Sequence, residues 1–238
     1  MVTTTAPKKI LVESPQRRQM SYEEYLKFAG DSQIVEWVDG EVIIYMPPVD
    51  KHQDVSQFLG TLLNLFIHFF KLGIMRYAPF EVKLWPGGPS REPDIIFIAN
   101  ENIAKLTPER FEGGPDLLIE IISPGSVTED RVRKFTEYER AGVREYWIID
   151  PRPHQQQADF YILGEDKIFH PAPLAEDGVY YSTVIPGFRL NVDGLWQEAL
   201  PDPQMIFADI IASAGELPAE VKAAYQTIQT WLAGKGKS

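Results

Sequence analysis

The chain has 238 residues, of which 44% are hydrophobic and 24% charged, a composition typical of one globular domain with or without an appendage. No apolar run approaches the roughly 20 residues that span a bilayer, and the N-terminus lacks the apolar core of a secretory signal, so we expect a cytoplasmic protein. The absence of cysteine excludes disulfides and thiolate metal sites, and the net charge of −11 argues against broad, charge-driven binding of nucleic acid.

The N-terminal third predicts an arm, a short helix, a hairpin and a long helix. Residues 1–18 lack hydrophobic periodicity, which predicts a loosely docked arm. Ser21 opens a capping-box pattern, which predicts a short helix. Asp39-Gly40 separates two alternating runs and predicts a β-hairpin with a tight turn. From about residue 50 to residue 72, apolar side chains recur at helical spacing, which predicts an amphipathic helix.

Two apolar runs in the middle of the chain carry one carboxylate each. Residues 117–122 are strand formers with Glu120 among them, the pattern of a central strand covered on both faces. Residues 95–98 form a second such run, and Asp94 directly precedes it. Because burying an unpaired carboxylate is expensive, Glu120 must be held by a partner, protonated or coordinated to a cation.

The remaining chain predicts a strand–helix–strand unit followed by antiparallel strands and helices. Thr128 is expected to cap a helix that runs to Ala141, with Gly142 at its end. The apolar run at 145–150 then predicts a strand parallel to the Glu120 strand, reached by a right-handed crossover. Short antiparallel strands are expected next, and residues 203–232 predict a C-terminal helical appendage.

The spacing of Glu120 and Lys134 predicts that these side chains meet. Glu120 lies about 10 Å back from the end of its strand at about 3.3 Å per residue, and Lys134 lies about 9 Å along the returning helix at about 1.5 Å per residue. The lysine stem can therefore bring its ammonium group toward the sheet. Two carboxylates on adjoining strands suit a hard divalent ion such as Mg²⁺, and a lysine beside them can hold a phosphate or orient water. Asp94, Glu120 and Lys134 together predict metal-assisted hydrolysis of a phosphodiester.

Several blocks of the sequence resemble one known family. They are Glu92-Pro93-Asp94, residues 116–124 and residues 134–151, with further matches at residues 35–41, Pro47-Pro48 and His52-Gln53. Together they are similar to the Uma2 family (DUF820), a branch of the PD-(D/E)XK restriction-endonuclease-like superfamily. The similarity covers about residues 20–190 of this sequence.

The resemblance implies a fold and a division of the chain. The expected fold class is α/β (α+β), a restriction-endonuclease-like mixed β-sheet flanked by helices, with extra antiparallel strands and a C-terminal helical appendage. An N-terminal arm (1–18) would precede a nuclease-like domain (19–193) and a C-terminal helical extension (194–238). Because this fold often works in pairs, we expect a homodimer, without membrane association.

The resemblance also implies a metal-dependent endonuclease that acts on DNA. Asp94 and Glu120 match the acids of the two superfamily motifs, and Glu36 matches an upstream acid that completes the Mg²⁺ or Mn²⁺ site. The superfamily lysine expected two residues after Glu120 is replaced by Ile122. Lys134 would then supply the catalytic ammonium group from the helix.

Each candidate residue also has a structural interpretation. Asp94 could cap a loop, and Glu120 could form an ion pair with Lys134 without any metal. Lys134 could be a solvated helix residue. His52 could be a helix cap or a substrate contact, and Tyr138 could contact substrate or belong to the core. For the whole chain, the alternatives to a nuclease are a catalytically silent binding or dimerisation module and a hydrolase of another phosphoester.

Overall fold

The computed structural model describes residues 15–29, 34–45 and 50–235. The elements up to the middle of the chain are β1 (Gln16–Gln19), α1 (Tyr22–Phe28), β2 (Val35–Val38), β3 (Glu41–Ile44), α2 (Asp50–Phe70), β4 (Gly73–Tyr77), β5 (Glu81–Lys83), β6 (Ser90–Arg91), β7 (Ile95–Ala99) and β8 (Arg110–Glu112). Those that follow are β9 (Leu117–Ile121), α3 (Phe135–Ala141), β10 (Glu145–Asp150), β11 (Gln157–Leu163), β12 (Phe169–Pro171), β13 (Val179–Tyr181), β14 (Arg189–Asn191), α4 (Pro203–Ser213) and α5 (Ala219–Lys235). Within these ranges, no helix combines the length and apolarity needed to cross a membrane.

The strands form two six-stranded sheets and one separate pair. The first sheet has the order β1-β3-β2-β6-β5-β8, the second has the order β12-β11-β10-β9-β7-β4, and β13 pairs with β14. In the second sheet, which we call the central sheet, β9 and β10 run parallel while their other neighbours are antiparallel. The mixed sheet with flanking helices confirms the predicted fold class.

Strand β9 lies in the interior of the central sheet, and all five of its residues are buried. Leu117, Ile119 and Ile121 pack on one face with helix α2 and the C-terminal elements. Leu118 and Ile122 pack on the other face beside α3. Since side chains alternate along a strand, Glu120 belongs to this second face, next to the apolar side chains of Leu118 and Ile122.

The C-terminal helices pack on α2, on the opposite side of the central sheet from α3. The ring of Phe69 on α2 lies 5.6 Å from that of Phe207 on α4 and 5.7 Å from that of Tyr225 on α5. Edge-on aromatic contacts of this kind add to the hydrophobic contribution of the buried area. The predicted appendage is therefore helical, as expected, and shares the core that covers β9.

Local sequence signals in the N-terminal third are confirmed, with one correction. Ser21 caps α1 in a complete capping box, and Asp39 and Gly40 take positive φ angles of 48° and 84° in the hairpin turn. Residues 16–18, expected in a loose arm, instead belong to β1, which pairs along β3. Pairing satisfies the backbone groups that β3 would otherwise expose at a sheet edge. The rest of the predicted arm, residues 1–14, lies outside the described residues.

The helix predicted from Thr128 begins in an unusual form. Residues Glu129–Lys134 make a π-helical turn before α3 starts, and the Thr128 side chain accepts no capping hydrogen bond from it. Gly142 ends α3 in the left-handed conformation, with φ of 80°, as its position predicted. The segment joins β9 to the parallel strand β10, which confirms the strand–helix–strand unit.

Candidate active site

The register of β7 against β9 brings the two predicted acids to one face of the central sheet. Ile95 pairs with Ile119 and Ile96 with Leu118, so one further step of the antiparallel register places Asp94 opposite Glu120. The carboxylate oxygen Oδ2 of Asp94 accepts a 2.7 Å hydrogen bond from the backbone N–H of Ile121. Asp94 is thus fixed to the neighbouring strand and does not cap a loop.

Lys134 reaches the same place from the π-helical turn. Its Nζ lies 3.0 Å from Oε1 of Glu120, 3.0 Å from Oε1 of Glu36 and 3.2 Å from Oδ1 of Asp130. Only 4% of the side chain is exposed, so it is not a solvated helix lysine. Burial alone would lower the pKa of Lys134, but the three carboxylates raise it well above its ordinary value. The ammonium group is therefore charged.

Glu120 is held by two donors on a single oxygen. Its Oε1 accepts from Lys134 Nζ and, at 2.7 Å, from the hydroxyl of Tyr138. Burial raises the pKa of Glu120 well above its ordinary value, with Lys134 opposing the shift. Tyr138 is fully buried behind Glu120, which leaves no access for the substrate contact considered from the sequence. It orients the carboxylate instead.

Glu36 has a different setting from the metal ligand that the resemblance implied. Its Oε2 accepts from Arg91 and from the Tyr45 hydroxyl, each at 2.8 Å, and its Oε1 accepts from the backbone of Glu92 and from Lys134. Burial would raise the pKa of Glu36, but Lys134 and Arg91 lower it to about 2. Because protein donors occupy both oxygens, the carboxylate supports Lys134 from behind and does not face a ligand.

Arg91 supports this arrangement from deeper in the protein. The guanidinium is fully buried and contacts Glu36 at 2.8 Å and Glu129 at 3.0 Å through Nη1. Its Nε and Nη2 form a two-pronged contact with Glu137 at 2.6 and 2.8 Å. A guanidinium suits this role because its donors are fixed in a planar fork. Arg91 thereby connects β6, β2, the π-helical turn and α3.

His52 lies in the first turn of α2 and faces Asp94. Its Nε2 is 3.3 Å from Oδ2 of Asp94. Burial lowers the pKa of the imidazole, but Asp94 more than compensates and raises it. The other ring nitrogen, Nδ1, is buried without a hydrogen-bond partner among the described residues. His52 thus presents a polar atom that a ligand could use, and is not a helix cap.

These side chains surround a cavity of about 40 Å³. Its polar lining includes the carboxylates of Glu92, Asp94, Glu120 and Asp130, together with Lys134, His52, Tyr45, Ser123 and Ser126. A cavity of this size holds a few waters or an ion with part of its water shell. We call this cavity the acidic pocket.

Sequence reasoning missed two acids of the acidic pocket. Glu92 precedes Asp94 in the quoted motif and accepts a 2.8 Å hydrogen bond from the backbone N–H of Val35; burial raises its pKa to about 8. Asp130 lies four residues before Lys134, a spacing that places both on one helix face. That spacing was the one available signal for Asp130.

The composition of the acidic pocket fits a divalent cation held by few protein ligands. Glu120 and Asp130 lie beside the Lys134 ammonium group, Asp94 lies beside His52, and one Asp130 oxygen is buried without a hydrogen-bond partner. Within residues 15–29, 34–45 and 50–235, no three Asp, Glu or His side chains converge closely enough to hold a metal by themselves. Mg²⁺ is commonly bound by one or two carboxylates while it keeps several waters, so Asp94 and Glu120 satisfy what such an ion needs.

A mixed sheet with two acids on adjoining strands and a buried lysine above them defines a restriction-endonuclease-like protein. The chain belongs to the Uma2 family: the sequence model of that family, described as "Putative restriction endonuclease", matches residues 22–193.

The solved structures give a consistent result. The chain resembles the crystal structure of a "putative nuclease belonging to DUF820" from Anabaena variabilis, with a TM-score of 0.60 and 19% sequence identity. The match covers 73% of this chain and 96% of that one, which shows a shared fold. A comparison with curated proteins finds no match.

Proposed function

We propose that this protein is a divalent-metal-dependent endonuclease that hydrolyses phosphodiester bonds of DNA. The observation that carries the proposal is the convergence of Asp94, Glu120 and Lys134, with Lys134 Nζ 3.0 Å from Oε1 of Glu120. The family description as a restriction endonuclease supports nucleic acid as the substrate. Homodimerisation and a cytoplasmic location stay predictions.

Five side chains in and beside the acidic pocket have tasks that follow from their contacts. Asp94 and Glu120 would hold Mg²⁺ or Mn²⁺, which when bound stabilises negative charge on a phosphate and favours ionisation of water. Lys134, kept charged by its carboxylate neighbours, would bind a phosphate oxygen or orient the attacking water. Tyr138 fixes the orientation of Glu120, and Glu36 fixes that of Lys134.

Plasmid nicking tests the proposal. Wild-type protein with Mg²⁺ or Mn²⁺ should nick supercoiled plasmid and lose this activity in EDTA. Asp94→Asn and Glu120→Gln should each lower the rate on the order of 100-fold or more, the size of effect that loss of charge stabilisation has in active sites. Glu112→Gln alters an exposed carboxylate on β8 and should cleave at the wild-type rate. Equal cleavage by all four proteins would point to a contaminating nuclease and refute the assignment.

A hydrolase of a smaller phosphoester is the second candidate. The 40 Å³ volume of the acidic pocket and the net charge of −11 favour a small substrate over a polyanion. Hydrolysis of bis(p-nitrophenyl) phosphate with no plasmid nicking under the same conditions would select this candidate. No reaction with either substrate and no heat on titration with Mn²⁺ would instead select a silent binding module.

A further inference from the structure

The acidic pocket contains a carboxylate to which the proposed function gives no task. Asp130 has only 2% of its side chain exposed. Its Oδ1 lies 3.2 Å from Lys134 Nζ but is not aligned for a hydrogen bond and has no hydrogen-bond partner among the described residues. A buried carboxylate oxygen without a hydrogen bond is costly, so a role in binding explains its position better than stability does.

The π-helical turn separates Asp130 from the acid beside it. Glu129, one residue earlier, faces away from the acidic pocket and contacts Arg91 and Arg17. Asp130 faces the pocket wall together with Lys134. Single π-helical turns occur frequently at functional sites. Here the turn directs Glu129 toward Arg91 and Asp130 toward the acidic pocket.

We propose that Asp130, and not Glu36, is the third acidic residue that acts on the cation of the acidic pocket, an inference that rests on the function proposed above. Since three side chains do not converge on one point among the described residues, Asp130 acts through the water shell that Mg²⁺ and Mn²⁺ retain. Groups that form hydrogen bonds to the ligands or bound waters of a metal strongly change its affinity.

The contrast with Glu36 follows from charge and hydrogen bonding. Both carboxylates lie beside Lys134 Nζ, at 3.0 Å for Glu36 and 3.2 Å for Asp130. Arg91 neutralises Glu36, and protein donors occupy both of its oxygens. Asp130 has neither compensation at Oδ1.

Calorimetric titration with Mn²⁺ alone, without nucleic acid, tests this inference. Asp130→Asn keeps the shape of the side chain and should weaken Mn²⁺ binding roughly 10- to 100-fold, as loss of a group that contacts the metal's ligands or bound waters does. Glu36→Gln should bind Mn²⁺ near the wild-type affinity. Glu129→Gln, which alters the adjacent acid of the same turn, serves as the control if the Glu36 variant does not fold. Wild-type affinity in Asp130→Asn overturns the inference.

Thermal melting separates binding from a structural role. If Asp130 only paired with Lys134, Asp130→Asn would lower Tm in EDTA. If Asp130 instead acts on the cation, the Asp130→Asn variant should have an unchanged or higher Tm in EDTA and a smaller rise in Tm on addition of Mn²⁺. A lowered Tm in EDTA together with an undiminished rise on addition of Mn²⁺ overturns the inference. Wild-type protein that binds no Mn²⁺ overturns the proposed cation site and this inference together, whereas binding by wild type with no change in the variant overturns the inference alone.

Discussion

Replacing Lys134 with methionine is expected to destabilise the fold strongly, because the ammonium group neutralises buried carboxylates. Methionine keeps a long unbranched stem but removes the charge that lies within 3.2 Å of Glu36, Glu120 and Asp130. Removing one partner of a buried ion pair costs about 3–5 kcal/mol. Burial already raises the pKa values of Glu120 and Asp130, so proton uptake relieves part of this cost.

We therefore expect the lower end of that range, about 3 kcal/mol of unfolding free energy. For a chain of this size, each kcal/mol lowers Tm by about 2–4 °C, so Tm should fall by roughly 6–12 °C. The Glu120→Gln/Lys134→Met double variant should lose less than the sum of the single changes, with a coupling energy of about 0.5–3 kcal/mol.

The assay is urea and thermal unfolding in EDTA near neutral pH, followed by circular dichroism. Lys105→Met serves as the matched control because Lys105 is an exposed lysine in a short helix, where a substitution changes stability by about 0.5 kcal/mol or less. If Lys134→Met and Lys105→Met unfold with equal free energies, the ammonium group does not stabilise the acidic pocket and the reasoning is refuted.

Three further predictions concern the site and the hairpin. Tyr138→Phe removes the 2.7 Å hydrogen bond to Glu120. It should lower the free energy of unfolding in urea by about 1 kcal/mol and should slow plasmid nicking. An unchanged nicking rate would mean that the hydroxyl does not orient Glu120. Mn²⁺ at about 100 times its Kd should stabilise wild-type protein by about 2.7 kcal/mol, and a gain of equal size in Asp94→Asn would exclude Asp94 as a ligand. Gly40→Ala places a Cβ at φ of 84° and should cost about 1–2 kcal/mol in thermal unfolding. Asp39→Ala should cost less, because Asp39 already has a Cβ at a positive φ.

Much of the fold followed from local patterns that act within a few residues. The capping box at Ser21, the Asp39-Gly40 turn and the periodicity of α2 each depend on neighbouring residues, and all three are confirmed. Strands β5, β6 and β8 have only two or three residues each. Such short strands carry no readable period, and their pairing is decided by tertiary contacts.

The candidate site was predictable where a single spacing decided it. The rise per residue of the strand and of the helix placed Lys134 level with Glu120 along the strand direction. This worked because only one crossover separates the two residues. Arg91 was missed because arginine is mostly exposed in proteins, and the three carboxylates around it come from segments 38–55 residues away in sequence. The setting of Glu36 depends on those same distant donors, so its sequence position could not reveal which groups occupy its oxygens.

Anomalous diffraction from crystals grown with Mn²⁺ tests the central claim most directly. The account predicts one Mn²⁺ ion in the acidic pocket, in contact with the carboxylates of Asp94 and Glu120 and with Lys134 beside it. Saturating Mn²⁺ that leaves no anomalous peak between these two carboxylates, or an ion bound only by residues elsewhere on the protein, would contradict it.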